Sequence, residues 1–219
     1  MRGKLITIAA LAVLTLAIAA VFLSFLPDEI PVHYNSEGQI DRIGSKYEYL
    51  IFPGSSAVMG LIMFAIIRRL SVRSMPREAN VVAITGISVL IVINILTLYF
   101  LYEASRFPSG ADGGIGVAGI GKVCSIGVGI LLLITGNIMP KATRNALFGL
   151  RTKWSMANDR VWLKSQRFAG GTAIICGLLL VLLAVFVPSI AMLYVMIGLI
   201  AVWTVICIVA SYLYYKREK

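Results

Sequence analysis

The sequence predicts an all-α membrane protein, built as a bundle of six transmembrane helices. Of its 219 residues, 59% are hydrophobic and only 14% are charged, and its mean hydropathy is +0.90. A soluble domain carries a larger share of charged residues. A helix needs about 20 apolar residues to cross the bilayer core, and six segments approach or exceed that length: Leu5–Leu26, Leu50–Ile67, Val81–Tyr102, Gly116–Met139, Ala169–Val187 and Ile190–Tyr215.

The order of these segments predicts two units. Residues 1–70 hold a first helical hairpin, whose helices flank a polar segment, and residues 80–219 hold a four-helix membrane domain. The first apolar run exceeds the core of a signal peptide, which has about 7–15 residues, so we expect it to stay in place as an anchor. Within the second unit, a basic loop at 140–168 separates the fourth helix from the fifth.

The distribution of positive charge predicts the orientation of the chain. Sixteen of its 20 Lys and Arg residues lie on the side of the two termini, which carries a net charge of +13, against −3 on the other side. Loops rich in Lys and Arg stay in the cytoplasm. We therefore expect both termini inside the cell, and we attribute the overall charge of +10 to topology and to attraction by anionic lipid rather than to direct binding of nucleic acid.

Residues 26–49, "LPDEIPVHYNSEGQIDRIGSKYEY", are predicted to form a small extracellular cap between the first two helices. Pro27 ends the first helix, and Pro31 forces the preceding residue into extended geometry. Asn35 and Gly38 are turn residues. An extended arm, a turn and a second extended arm are therefore expected.

The cap offers little for catalysis. A catalytic zinc site takes about three protein ligands, but the chain has a single histidine, His33, and its three cysteines all lie in apolar segments. We expect no cofactor, no metal and no catalytic residue, and favour His33 as a hydrogen-bonding hub or as part of an acidic face for a cationic peptide. Two alternatives stay open: calcium bound by carboxylates such as Asp41 without EF-hand spacing, and His33 as the base of a membrane-embedded enzyme.

The inner segment "SMANDRVWLKSQRFAGG" predicts an amphipathic helix that runs into the fifth span, with Ser155 as its N-cap. Arg160, Lys164 and Arg167 recur at i, i+4 and i+7 and share one face. Trp162, like Trp154, suits the headgroup region. This basic stripe is expected either to rest on anionic lipid or to dock a cytosolic partner.

Polar and small residues inside the spans predict helix contacts. Asn94 and Asn137 lie within apolar segments, where an amide seeks a hydrogen bond between helices. Gly121, Ser125 and Gly129 share a face of the fourth helix, which we expect to pack within the bundle rather than against another copy. The spans contain no carboxylate, which argues against a proton-coupled transporter.

Two groups of residues match paired motifs of one family. The cap fits "LP-x-x-[IV]P-x-H-[FY]-N-x-x-G" through Pro27, Pro31, His33, Tyr34, Asn35 and Gly38, followed by Asp41, Ser45, Lys46 and Pro53. The inner loop fits "N-x-x-x-G-[IL]-R-T…N…W" through Asn145, Gly149, Leu150, Arg151, Thr152, Trp154, Asn158 and Trp162. In both motifs, and in their order, the chain resembles the SdpI-type immunity proteins of bacteria.

This resemblance implies an immunity protein of the bacterial cell membrane that protects the cell from a secreted toxin peptide. It also implies a receptor that holds a cytosolic transcriptional repressor at the membrane. Candidate toxin-facing positions are Pro31, His33, Tyr34, Asn35, Glu37, Gly38, Asp41 and Lys46. Candidate partner-facing positions are Asn145, Gly149, Arg151, Thr152, Trp154, Asn158, Arg160, Trp162, Lys164 and Arg167. The alternative is a transporter or channel for a small solute or ion, whose polar pathway would use Asn94, Thr97, Asn137 and Lys122.

Overall fold

The computed structural model describes residues 1–35, 39–73, 75–107 and 119–218. Six long helices were predicted, and the described residues contain six that are long and apolar enough to cross a membrane. They are α1 (Arg2–Phe25), α2 (Ile51–Val72), α3 (Pro76–Ser105), α4 (Ile120–Ile138), α5 (Asp159–Phe186) and α6 (Ser189–Arg217). A two-stranded sheet, β1 (Glu29–Tyr34) and β2 (Ile40–Ser45), lies between α1 and α2.

Helix ends follow local chemistry. α1 ends at Phe25, just before Pro27, because proline cannot continue a helix. α2 continues past the expected Ile67 to Val72, since basic side chains in the last turn interact favourably with the negative helix end. The fourth span was expected to start at Gly116, which lies outside the described residues; α4 is described from Ile120.

The helices pack in two groups. α1, α2 and α3 contact one another, α4, α5 and α6 do the same, and α3 also contacts α4. Ile8, Ile67 and Leu90 are fully buried in the first group, and Leu180 and Met192 in the second. We call the end of the bundle that carries the sheet the cap end, and the opposite end the basic end.

Hydrogen bonds between buried side chains join α1, α2 and α3. The hydroxyl of Thr15 lies 2.7 Å from Asn94 Oδ1 and 3.1 Å from the hydroxyl of Ser56, and all three side chains are buried. The interhelical hydrogen bond expected of Asn94 is therefore made. That expected of Asn137 is not, because its side chain is exposed on α4 and has no hydrogen bond with any other residue that the structure describes.

Glycines bring α4 and α5 into backbone contact. A Cβ atom added at Gly177 would lie 2.6 Å from the carbonyl oxygen of Gly129, and one added at Gly136 would lie 2.6 Å from that of Gly170. Small residues allow such close approach in membranes, where helix association depends on van der Waals packing. The face of α4 that carries Gly129 therefore packs within the bundle, as expected.

We predict that Gly177→Ala destabilises the protein whereas Gly171→Ala does not. Both positions lie on α5, but no atom of the described residues lies within 4 Å of a Cβ atom at Gly171. Overpacking costs about 1–3 kcal/mol, and an exposed Gly-to-Ala change in a helix stabilises it by up to about 1 kcal/mol. Thermal unfolding in detergent measures both variants. Equal stability of the two variants would contradict the close α4–α5 contact.

Candidate functional site

The cap is an antiparallel hairpin of β1 and β2, which confirms the two extended arms predicted from the sequence. Glu29 pairs with Ser45 at its base, and the register shifts on either side of His33. Near the tip, the N–H of Asn35 donates to the carbonyl of Gln39 (2.8 Å), and the side chain of Asn35 accepts the Gln39 N–H (2.9 Å). The tip itself, with the predicted positions Glu37 and Gly38, lies outside the described residues.

Two side chains hold the cap on the helices. The hydroxyl of Tyr49 donates to the carbonyl of Pro31 (2.9 Å). The ammonium of Lys46 donates to the carbonyl of Leu26 (3.1 Å) and lies 3.0 Å from a carboxylate oxygen of Asp28. Lys46 is only 13% exposed, so this predicted toxin-facing residue serves chiefly to anchor the cap.

Two exposed pairs of polar side chains lie on the cap. His33 Nδ1 is 2.6 Å from Asp41 Oδ1. The guanidinium of Arg42 forms a two-pronged contact with Glu48, at 2.7 and 3.3 Å. Exposed pairs of this kind contribute only about 0–1 kcal/mol to stability. Their charged groups can therefore exchange partners with a ligand at little cost to the fold.

A cavity of about 410 Å³ lies between the cap and the ends of α2, α3 and α4, and we call it the cap cavity. Phe52 of α2 and Phe100 of α3 stack in it with ring centroids 4.8 Å apart, and Tyr49 meets both rings edge-on. The other lining residues are Val32, His33, Tyr34, Arg42, Glu48, Ile51 and Ile120. An aromatic wall thus adjoins a cation, an anion and an imidazole.

Tyr34 contributes a neutral hydroxyl to the cap cavity. Burial raises the pKa of Tyr34 above its usual 10.0, and the nearby carboxylate of Glu103 raises it further. The phenol therefore stays protonated at physiological pH, where it can both donate and accept a hydrogen bond.

At the basic end, a short 3-10 helix (Met139–Lys141) and then residues 142–158 join α4 to α5. We call residues 142–158 the connector. Asn145 folds its first turn by accepting hydrogen bonds from the backbone N–H groups of Leu147 (2.7 Å) and Phe148 (2.8 Å), while its amide donates to the carbonyl of Thr143 (2.7 Å). An asparagine that bonds to nearby backbone in this way stabilises a turn. Asn145 is therefore occupied by the fold of the connector.

Gln166 of α5 fastens the middle of the connector. Its side chain is fully buried; it accepts the N–H of Leu150 (2.9 Å) and donates to the carbonyl of the same residue (2.9 Å). Gly149, the residue before Leu150, has φ 105°, a conformation that glycine adopts without the steric cost of a Cβ atom. A Cβ atom there would lie 2.5 Å from Gln166 Oε1.

The last part of the connector is closed by hydroxyl groups. Ser155 accepts the N–H of Thr152 (2.9 Å), and the Thr152 hydroxyl lies 2.9 Å from that of Ser211 on α6. Ser155 was predicted to cap α5, which is wrong. Asn158 is the N-cap, because its side-chain oxygen accepts the N–H of Val161 (2.9 Å).

The two tryptophans have different surroundings. Trp162 is 2% exposed and its indole donates to the carbonyl of Ala142 (2.8 Å), so the expected headgroup position is wrong for this residue. Trp154 packs edge-on against Tyr212 (5.1 Å between centroids) with the ammonium of Lys153 5.3 Å from its ring. Trp162 is thus part of the core at the basic end.

The basic stripe on α5 is partly neutralised. Glu218, which is only 15% exposed, lies 3.1 Å from Arg160 and 2.5 Å from Lys164. The hydrogen bond from Lys164 lowers the pKa of Glu218, and the bond from Arg160 adds to this effect. Arg151 and Arg167 are exposed and form no hydrogen bond or ion pair within the described part of the chain.

Comparison with known proteins assigns a family. A model described as the SdpI/YfhL protein family matches residues 141–211, and one described as a domain of unknown function, DUF1648, matches residues 10–55. The chain is 30% identical to the immunity protein SdpI of Bacillus subtilis (strain 168) over 193 residues, which cover 88% of this chain and 86% of that relative. The chain belongs to the SdpI/YfhL family. No solved structure matches it.

Each of the two matched regions of this SdpI/YfhL protein contains one of its two non-helical segments, the cap or the connector. Residues 10–55 contain most of α1, the cap and the start of α2. Residues 141–211 contain the connector, α5 and most of α6. Each end thus combines helices with a non-helical segment that side-chain hydrogen bonds hold in place.

Sequence reasoning missed several residues of these sites. Gln166 was not singled out, although it lies four residues after Trp162 and therefore on the same helix face; a long polar side chain on a buried face was the available signal. Phe52 and Phe100 lie in apolar segments like many other residues, and nothing in the sequence indicates that their rings are in contact. Glu218 could not be paired with α5 without knowledge of how α6 packs.

We predict that Gln166→Leu destabilises the protein by about 1–3 kcal/mol, because it leaves the backbone N–H of Leu150 unpaired, whereas the Leu150 carbonyl keeps its hydrogen bond from the Ser155 hydroxyl (2.7 Å). Ser165→Ala is the matched control. Its hydroxyl is buried and has no hydrogen-bond partner among the residues that the structure describes, so its removal is expected to be close to neutral.

Thermal unfolding in detergent measures both changes, and trypsin cleavage at Arg151 and Lys153 reports on opening of the connector. Gln166→Leu should accelerate this cleavage and Ser165→Ala should not. Unchanged cleavage in Gln166→Leu would show that Gln166 does not hold the connector.

Proposed function

We propose that this protein is a membrane immunity protein that protects its cell from a secreted toxin peptide, and that the peptide binds in the cap cavity. The name of its relative in Bacillus subtilis, an immunity protein aligned over 88% of this chain, supports the general function. The cap cavity supports the location of binding. It is a concave space at one end of the bundle, with an aromatic wall and accessible charges.

The dimensions and lining of the cap cavity suit a side chain of a peptide. Ligand sites are typically concave, with volumes of about 300–1,000 Å³, and are mostly apolar with a few placed polar groups. The stacked rings of Phe52 and Phe100 offer an apolar wall to an aliphatic or aromatic side chain. Glu48 and Arg42, which pair with each other, can each bind a charged group of the peptide.

We further propose that the cap end faces the outside of the cell and the basic end faces the cytoplasm. The net charges of −3 and +13 on the two sides support this orientation, because Lys- and Arg-rich loops are retained inside. A secreted peptide would then meet the cap directly. The connector, Lys216 and Arg217 would face the cytoplasm.

In this orientation the basic end would be the surface that binds a cytosolic repressor. The free guanidinium groups of Arg151 and Arg167 favour a partner that carries carboxylates, since guanidinium binds these in two-pronged geometry. Arg160 and Lys164 are occupied by Glu218, so the proposed docking surface is smaller than the full set of predicted positions. Transport is less well supported, because Asn94 is engaged in hydrogen bonds with Thr15 and Leu11 of α1.

The orientation predicts the pattern of cysteine labelling. In a background with Cys124, Cys176 and Cys207 changed to alanine, we expect Glu29→Cys to react with a membrane-impermeant maleimide in intact cells. Lys153→Cys should react only after the cells are lysed. Both positions are exposed, so each is its own control after lysis. The reverse pattern would exclude toxin binding from outside at the cap.

The function predicts a loss of protection when the gene is deleted. Deletion in the native bacterium should sensitise the cells to stationary-phase supernatant of their own wild-type strain, and the intact gene should restore resistance. Among complementing variants, His33→Ala is expected to lower the tolerated concentration about tenfold, which corresponds to about 1.4 kcal/mol of lost binding.

Glu29→Ala is the matched control for His33→Ala. Both residues are exposed on β1, but Glu29 does not line the cap cavity, so full protection is expected. Equal protection by the two variants at equal membrane abundance would show that the toxin does not bind in the cap cavity. That outcome would not contradict the immunity function. Unchanged resistance after deletion of the gene would overturn the immunity function itself.

A further inference from the structure

An apolar groove of about 390 Å³ runs along α6 at the basic end, and we call it the α6 groove. Phe168 of α5 forms part of its wall and meets the ring of Tyr214 edge-on, with centroids 6.2 Å apart. The remaining lining residues are Val205, Ile206, Val209, Ala210, Leu213 and Arg217. Except at its last residue, the groove is lined by apolar and aromatic side chains.

Arg217 places a free positive charge at one end of the α6 groove. Its side chain is exposed and forms no hydrogen bond or ion pair with other residues in the described ranges. The neighbouring carboxylate, Glu218, is already bound by Arg160 and Lys164. The positive charge of Arg217 is therefore available to an anion from outside the protein.

The length of the α6 groove matches one leaflet of a bilayer. From Val205 to Arg217, α6 rises about 18 Å at about 1.5 Å per residue. The hydrocarbon core is about 30 Å thick, so that one leaflet spans about half of it. Arg217 ends α6, which places the charge at the depth of the headgroups when the apolar side chains lie in the hydrocarbon.

We propose that the α6 groove binds one anionic phospholipid, with an acyl chain along Val205–Leu213 and its phosphate on Arg217. Guanidinium binds phosphate in two-pronged geometry, and basic pockets between transmembrane helices are a recognised form of anionic-lipid site. A second copy of the chain would bring an identical arginine to a site where the one acid among the described residues beside Arg217, Glu218, is already bound by Arg160 and Lys164. A lipid supplies both the long apolar chain and the negative charge.

Native mass spectrometry of the full-length protein tests the lipid site. The protein, purified in detergent, is incubated with phosphatidylglycerol or with phosphatidylcholine of the same acyl chains, and the bound lipids are counted. We expect one tightly held phosphatidylglycerol and weaker retention of phosphatidylcholine. Arg217→Gln should weaken phosphatidylglycerol binding about fivefold, since one basic residue near the headgroups contributes about that factor.

Two pairs of variants distinguish a specific lipid site in the α6 groove from unspecific attraction of anionic lipid to the basic end. Arg73→Gln removes the same charge from an exposed position at the end of α2, away from the groove, and should leave the bound lipid in place. Ala210→Trp fills the groove and should displace the lipid, whereas Ile208→Trp lies on α6 outside the lining and should not.

The outcomes are decisive in both directions. Selective loss in Arg217→Gln and Ala210→Trp supports the site. Equal loss in Arg217→Gln and Arg73→Gln, or retention in Ala210→Trp, overturns it in favour of unspecific attraction between the basic end and anionic lipid. Neither outcome bears on the cap cavity, because the lipid site does not depend on the proposed immunity function.

Discussion

The need to satisfy every backbone hydrogen bond inside a bilayer determines most of this structure. Hydrocarbon offers no partner for an exposed N–H or C=O group, so the spanning segments are helices that pair their own backbone groups. Lipid also removes the hydrophobic drive for helices to associate. What joins the helices must therefore be close backbone contact or specific polar bonds, and both kinds of contact occur in this bundle.

The buried polar bonds are clearest in the first group, and the closest glycine contacts lie in the second. Thr15, Ser56 and Asn94 link α1, α2 and α3 through buried hydrogen bonds. Gly129 and Gly177 let α4 and α5 approach until a single methyl group would clash. Both kinds of contact hold helices together where no hydrophobic drive for association exists. In both groups the outer helix surfaces stay in contact with lipid.

At the two ends of the bundle the backbone is not helical, and side chains form hydrogen bonds with its N–H and C=O groups. Tyr49 and Lys46 bind carbonyl groups at the foot of the cap, and Gln166 binds both polar groups of Leu150 in the connector. Many motif residues, Asn145 and Thr152 among them, are used in this way. Groups that stay accessible to other molecules include the exposed His33–Asp41 and Arg42–Glu48 pairs of the cap and the exposed guanidinium groups of Arg151, Arg167 and Arg217.

The sequence by itself determined the six helices, the extended arms of the cap and the separation of charge, because apolar length, proline placement and charge are local properties of the chain. It also indicated the bond made by Asn94, since an amide in hydrocarbon needs a partner. It could not show that Phe52 and Phe100 stack, that Gln166 holds Leu150, or that Glu218 neutralises Arg160 and Lys164. Those contacts join residues far apart in the chain, and only the packing of α2 on α3, of the connector on α5, and of α6 on α5 brings their atoms within reach.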